Sequence, residues 1–217
     1  MNDKIDIPRP GNPDDMRTEI AIILDRSGSM DDIREDMEGG LWSLVRAQHQ
    51  APGICTVSLY TFDDVFETAF EGRPAGELRS RDCRIEPRGT TALLDAVVRG
   101  LSSVESRIRT QPEDERPDYV SVVVITDGYE NASRECSLED AKRAVKRATE
   151  KLEWSFEFLA ADLEGFADGQ AFTEDAADAD ARYFAPECAG EATSALSERL
   201  LEARTSRASR ASRRRRR

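Results

Sequence analysis

Residues 18–30 read Thr-Glu-Ile-Ala-Ile-Ile-Leu-Asp-Arg-Ser-Gly-Ser-Met. The run from Thr18 to Leu24 is almost continuously apolar, as a strand covered on both faces reads, and it implies a sheet packed between helices. The run ends at Asp25. Ser27 and Ser29 follow at i and i+2, a spacing that puts both hydroxyls on one side of an extended strand end. Gly28 between them permits an unusual backbone angle. From Met30 the period changes: Met30, Ile33, Met37, Leu41, Leu44 and Val45 fall at three-and-four spacing and predict a helix to about Gln50. Inside it, Gly39 and Gly40 cost about 1 kcal/mol each relative to alanine. They mark either a close approach to a neighbouring strand or a break in the helix.

The alternation continues along the chain. Cys55–Phe62 and Val65–Phe70 read as strands joined tightly through Asp63-Asp64, hence a hairpin. Residues 71–91 read mostly as loop, with a brief extended piece at Cys83–Ile85. Ala92–Arg109 is helical, with Leu94, Val97, Leu101, Val104 and Ile108 on one face. Tyr119–Thr126 is a second continuously apolar strand. Ser137, with Asp140 three residues on, opens a capped helix. Ser155–Ala160 is a further strand, Arg182–Ala185 a short one, and Gly190–Arg204 a last helix. The alanine- and acid-rich stretch 161–181 yields no assignment. Strands alternating with helices predict a doubly wound α/β domain with a mainly parallel sheet and helices on both faces. Residues 1–16 read as a leader, 17–203 as the domain and 204–217 as a disordered arginine-rich tail.

Composition narrows the function. The chain has 217 residues and a net charge of -12, but eight arginines and no acids fall in 204–217. The other 203 residues hold 23 basic against 43 acidic side chains, a net of -20. Such a body attracts cations and repels nucleic acid and anionic membranes. The four cysteines stand singly, so no zinc knuckle or thioredoxin-like pair is indicated, and Cys55 reads as a buried thiol. No secretory h-region and no apolar run of about 20 residues is present, which points to a cytoplasmic location. His49 stands alone, so a Ser-His-Asp triad is not indicated, and no phosphate-binding glycine loop follows a strand.

The chemistry-bearing residues lie at the strand ends. Asp25 and Asp127 each follow a buried strand directly, and in parallel sheets ligands bind beyond that edge. Thr91, in Gly-Thr-Thr-Ala-Leu-Leu-Asp (89–95), precedes a helix in a loop that can reach the same edge. Three hydroxyls with two carboxylates form a hard oxygen donor set, suited to Mg²⁺, Mn²⁺ or Ca²⁺. Taken one at a time these residues have plainer readings: Ser27 and Ser29 as helix caps, Asp127-Gly128 as a turn. Asp31-Asp32, Asp63-Asp64, Asp95 and Glu130 read as solvated loop residues, with Asp95 placed to brace the Thr91 loop.

Asp25-x-Ser27-x-Ser29, then Thr91 in Gly-x-Thr-Ala-Leu, then Asp127 in Ile-Thr-Asp-Gly resembles the metal-ion-dependent adhesion site of von Willebrand factor type A (VWA) domains. The similarity spans about residues 17–203 and is nearest in pattern to small stand-alone intracellular bacterial or phage members. It implies that Ser27, Ser29 and Thr91 bind the metal directly, or through water for Thr91, while Asp25 and Asp127 act partly through bound waters. It further implies an ion that takes one more oxygen from an acidic residue of a partner protein, without catalysis. Two rival readings remain: a nucleic-acid-associated protein tethered by Arg213–Arg217 and the rest of its basic tail, and a Mg²⁺-dependent phosphate-ester hydrolase, which lacks an evident general base or second metal.

Overall fold

A computed structural model describes residues 16–214; the expected leader, apart from Met16, lies outside the described residues. Six strands form one sheet in the order β3-β2-β1-β4-β5-β6. They are β1 (Arg17–Asp25), β2 (Ile54–Phe62), β3 (Phe66–Pro74), β4 (Tyr119–Thr126), β5 (Ser155–Ala160) and β6 (Ala179–Tyr183). Neighbours pair in parallel except β2 with β3, the antiparallel hairpin expected from the sequence, whose register shifts between Val57 and Tyr60. The helices are α1 (Arg34–Gln50), α2 (Leu93–Thr110), α3 (Leu138–Lys151), α4 (Leu163–Thr173) and α5 (Ala189–Arg214). This is the doubly wound α/β arrangement that the alternation predicts.

The period-two rule sorts each strand between two cores. Ile20, Ile22 and Leu24 of β1, with Val123 and Ile125 of β4, pack against Met37, Leu41 and Leu44 of α1 and Leu196 and Leu200 of α5. Ala21, Ile23, Val122 and Val124 face the other way, against Val97, Leu101 and Val104 of α2 and Ala141 and Val145 of α3. Because both faces are covered, all eight residues of β4 are buried. Strand order reverses at β1: the chain steps outward to β2 on one side and later to β4 on the other. The carboxyl ends of β1 and β4 therefore flank the crevice where open α/β sheets take their ligands.

Several expectations are corrected. The first turns after Ser27 form a 3-10 helix, Gly28–Ile33, before α1 proper begins at Arg34. Gly40 does make a close approach, but to a helix: a Cβ there would stand 1.9 Å from Thr193 Oγ1 of α5. Cys83–Ile85 is not a strand; 3-10 turns occupy Ala75–Glu77 and Ser80–Cys83. The stretch 161–181 contains α4, opened by the Asp162 carboxylate, which accepts the Glu164 and Gly165 amides. The last strand ends at Tyr183, not Ala185.

The tail expectation fails at its start. Arg204 is buried, its guanidinium donating to the Gln48 carbonyl (2.9 Å), the Gln48 Oε1 (2.9 Å) and the Pro52 carbonyl (3.0 Å). Arg204 thus satisfies carbonyls left open at the end of α1, and α5 continues to Arg214 instead of dissolving at 204. Residues 215–217 lie outside the described residues.

Candidate metal centre

Three loops meet at the carboxyl edge. In the first, the Asp25 carboxylate folds back on its own loop and accepts the Ser27 amide at 2.6 Å. Its other oxygen accepts the Thr126 hydroxyl of β4, also at 2.6 Å. Ser27 Oγ and Ser29 Oγ lie 3.1 Å apart, as their i, i+2 spacing predicts. Ser29 Oγ donates to Asp127 Oδ1 at 2.8 Å, joining residues 98 positions apart in the chain.

The second loop brings in Thr91. A Cβ placed on Gly128 would stand 3.4 Å from Thr91 Oγ1 and 3.7 Å from Ser29 Oγ. Both hydroxyls therefore border Gly128, each at ordinary van der Waals distance from where a Cβ would stand. Thr91 is buried. Its backbone pairs reciprocally with Asn131: the Thr91 amide donates to Asn131 Oδ1 (2.9 Å) and the Asn131 amide to the Thr91 carbonyl (3.1 Å). All five residues singled out in the sequence are thus drawn together.

The electrostatics suit a cation. Burial pushes the Asp25 carboxyl up to about 7 against the hydrogen bonds from Thr126 and the Ser27 amide, with the neighbouring Asp127 charge adding to the rise. Asp127 is also raised, first by burial, with the charges of Asp162 and Asp32 contributing and the Ser29 hydroxyl opposing. Among the described residues the groups bonded to these two carboxylates are hydroxyls and backbone amides, not ammonium or guanidinium groups. Nor do three His, Cys, Asp or Glu side chains gather anywhere among the described residues to hold a metal. The donors here are mainly hydroxyl oxygens, which fit a hard divalent ion.

Residues that the sequence reading left as solvated loop hold the site from behind. Glu130 accepts the Leu94, Ala132 and Ser133 amides and the Ser133 hydroxyl. Asp95 accepts the Arg134 (2.9 Å) and Cys136 (2.7 Å) amides, so it braces the loop between β4 and α3 and not the Thr91 loop expected from its position. Asp63 is wholly buried. Thr126, Arg26, Arg88 and Asn131 were not singled out in the sequence. Thr126 was within reach of it, as the residue that ends a buried strand beside Asp127.

No family model matches the chain, and no curated protein matches it. Solved structures share its fold. Proximal thread matrix protein 1 from the mussel byssus superposes with a TM-score of 0.61 at 14% identity, over 87% of this chain and 47% of that one. That protein has also been solved with a zinc-occupied metal-ion-dependent adhesion motif. A von Willebrand factor type A protein from Catenulispora acidiphila gives 0.57 at 16% identity, over 84% and 42%. The von Willebrand factor domain of the pilus tip protein Mfa5 from Porphyromonas gingivalis gives 0.63 at 10%, over 86% and 95%. The chain spans about half the length of the mussel protein and less of the Catenulispora one, but nearly all of the Mfa5 domain. The fold is that of VWA domains.

Proposed function

We propose that this domain is a divalent-cation-dependent protein-binding module. Ser27, Ser29 and Thr91 would hold the ion, with Asp25 and Asp127 supporting it in part through water. Mg²⁺ or Mn²⁺ suits this donor set best, with Ca²⁺ as a further candidate. With few direct anionic ligands the bound ion supplies an electron-poor site for one more oxygen, the carboxylate of an acidic residue on a partner protein. The chain's own part is to fix three hydroxyls and two buried carboxylates in one place. The reading is of capture, not turnover, and of a VWA module that works inside the cell. Among the described residues no helix is long and apolar enough to cross a membrane.

The observation that carries this reading is the contact of Ser29 Oγ with Asp127 Oδ1, which joins the β1 and β4 loops at the strand-order reversal with the Thr91 hydroxyl bordering Gly128 beside it. Calorimetric titration with Mn²⁺ tests it. The wild-type protein is expected to bind one ion, and Asp25→Ala and Asp127→Ala each to lose binding while remaining folded by circular dichroism. Equal Mn²⁺ affinity in either variant sinks the assignment. A partner held in Mg²⁺ and released by EDTA, and not held by Asp127→Ala, would extend the test to carboxylate capture.

A further inference from the structure

Beside the candidate centre lies a closed ring of four charged side chains. Arg26 stands between Asp25 and Ser27, and Arg88 is three residues before Thr91. Asp63 and Glu67 flank the turn of the β2–β3 hairpin. Asp63 Oδ2 accepts Arg26 Nε at 3.0 Å and Arg88 Nε at 2.7 Å. Glu67 accepts Arg26 Nη1 through one oxygen and Arg88 Nη2 through the other, both at 2.7 Å. Two guanidinium groups thus share two carboxylates. Arg26 and Asp63 are buried, whereas Arg88 is half exposed.

Backbone pairing follows the same line. The Arg88 amide donates to the Arg26 carbonyl at 2.8 Å and the Gly28 amide to the Gly89 carbonyl at 3.3 Å, so the Ser27 and Thr91 loops run side by side. The Ala92 amide donates to the Asp63 carbonyl at 2.9 Å, tying Thr91's neighbour to the hairpin. Gly89 has φ +69, a backbone conformation that side-chain-bearing residues rarely adopt, and a Cβ there would stand 3.2 Å from Asp63 Cβ, so the two segments approach closely.

We infer that the Arg26–Asp63–Arg88–Glu67 ring is a positioning device for the cation site: it sets the distance between the Ser27 and Thr91 hydroxyls, and through it the metal affinity. The four charges cancel, so Arg26 can lie within the metal-binding loop without opposing a cation. Groups that orient ligands from behind commonly carry tenfold to a hundredfold of metal affinity. The inference rests on the metal reading above, and the experiment separates the two.

The variant is Arg88→Ala, at a half-exposed residue whose loss leaves Asp63 and Glu67 still paired with Arg26. Removing a positive charge near a cation site should tighten metal binding if charge alone matters. Positioning predicts the opposite sign. Mn²⁺ affinity, read by electron paramagnetic resonance of free Mn²⁺, is expected to fall about tenfold, with partial recovery in Arg88→Lys. The thermal midpoint in EDTA is followed in parallel. Unchanged or tighter Mn²⁺ binding in Arg88→Ala, whatever its midpoint, overturns the inference. Glu67→Gln is a second variant with the same expected loss. If the wild-type protein binds no Mn²⁺, the metal reading itself fails, an outcome distinct from a ring that binds normally when broken.

Discussion

Glu19 and Asp25 sit on the same strand, an even number of residues apart, and both are buried carboxylates with at most 1% of their surface exposed. Their surroundings differ in one respect. Glu19 accepts the Ser58 hydroxyl at 2.6 Å and the Thr56 hydroxyl, and Arg107 Nη2 of α2 stands 2.6 Å from it. Asp25 has equivalent neutral partners, the Thr126 hydroxyl and the Ser27 amide, but among the described residues no guanidinium. A buried charge needs a counterion. The chain supplies one for Glu19 from its own sequence, whereas among the described residues none stands at Asp25. On the proposed reading, the first carboxylate builds the sheet and the second waits for an ion from solution.

The comparison can be broken in three ways. The largest effect is expected at the internal pair. Arg107→Ala strands Glu19 in the core, and such a break costs about 3–5 kcal/mol. Urea unfolding should show this loss equally in Mg²⁺ and in EDTA, and a loss that Mg²⁺ repairs would contradict the division of roles. Next comes the open site. Mg²⁺ at a hundred times its dissociation constant should stabilise the wild-type protein by about 2.7 kcal/mol. Asp25→Ala and Asp127→Ala should show no such gain, and Arg107→Ala should keep it in full. The smallest effect concerns the ring, which lies beside the metal site yet carries its own counterions. The Arg26 and Arg88 guanidinium groups hold the Glu67 carboxyl down at about 2, from an ordinary 4.5. A depressed carboxylate contributes stability in full above pH 4.5 and loses it as pH falls through about 2. Acid unfolding of wild type and Glu67→Gln should therefore converge across that window. Glu67 is solvent-accessible, so the gap at neutral pH is expected to be small. A gap that persists well below pH 2 would argue against the ring.

The legible parts of this sequence are those where burial and period coincide. β4 and β5 match the sequence reading end to end: β4 is buried throughout and β5 at every residue but Glu157, so both read as nearly continuous apolar runs. The five candidate ligands were readable because each interrupts such a run or precedes a helix. α4 was hidden by its own packing. Gly165 and Gly169 are poor helix formers, yet a Cβ at Gly165 would stand 2.4 Å from the Gly128 carbonyl oxygen, and one at Gly169 would stand 2.1 Å from Phe158. The residues that let α4 approach the sheet are the ones that make it look unlike a helix. The one local signal that could have found its start is Asp162, whose carboxylate accepts the Glu164 and Gly165 amides. Arg204 was misplaced for a related reason. An arginine beside an arginine-rich run reads as surface, and only the open carbonyls of Gln48 and Pro52, about 150 positions away, make it interior. Asp63 and Glu130 share that fate in part: each caps a nearby amide, but the Arg26 and Arg88 guanidinium groups on Asp63 and the Leu94 amide on Glu130 come from distant segments, which no local pattern reveals.

The outer strand of the hairpin carries a last consequence. β3 ends the sheet, and a free strand edge is an invitation to unwanted stacking of chains. Here the shifted register near Leu59, the charged Glu67, Glu71 and Arg73, and the terminal Pro74 all make that rim a poor template. At the opposite rim β6 is only five residues long and includes Asp180 and Arg182. With both flanks discouraging lateral growth, the proposed module would meet a partner through the loops above the sheet, where the hydroxyls gather, and not by adding a strand.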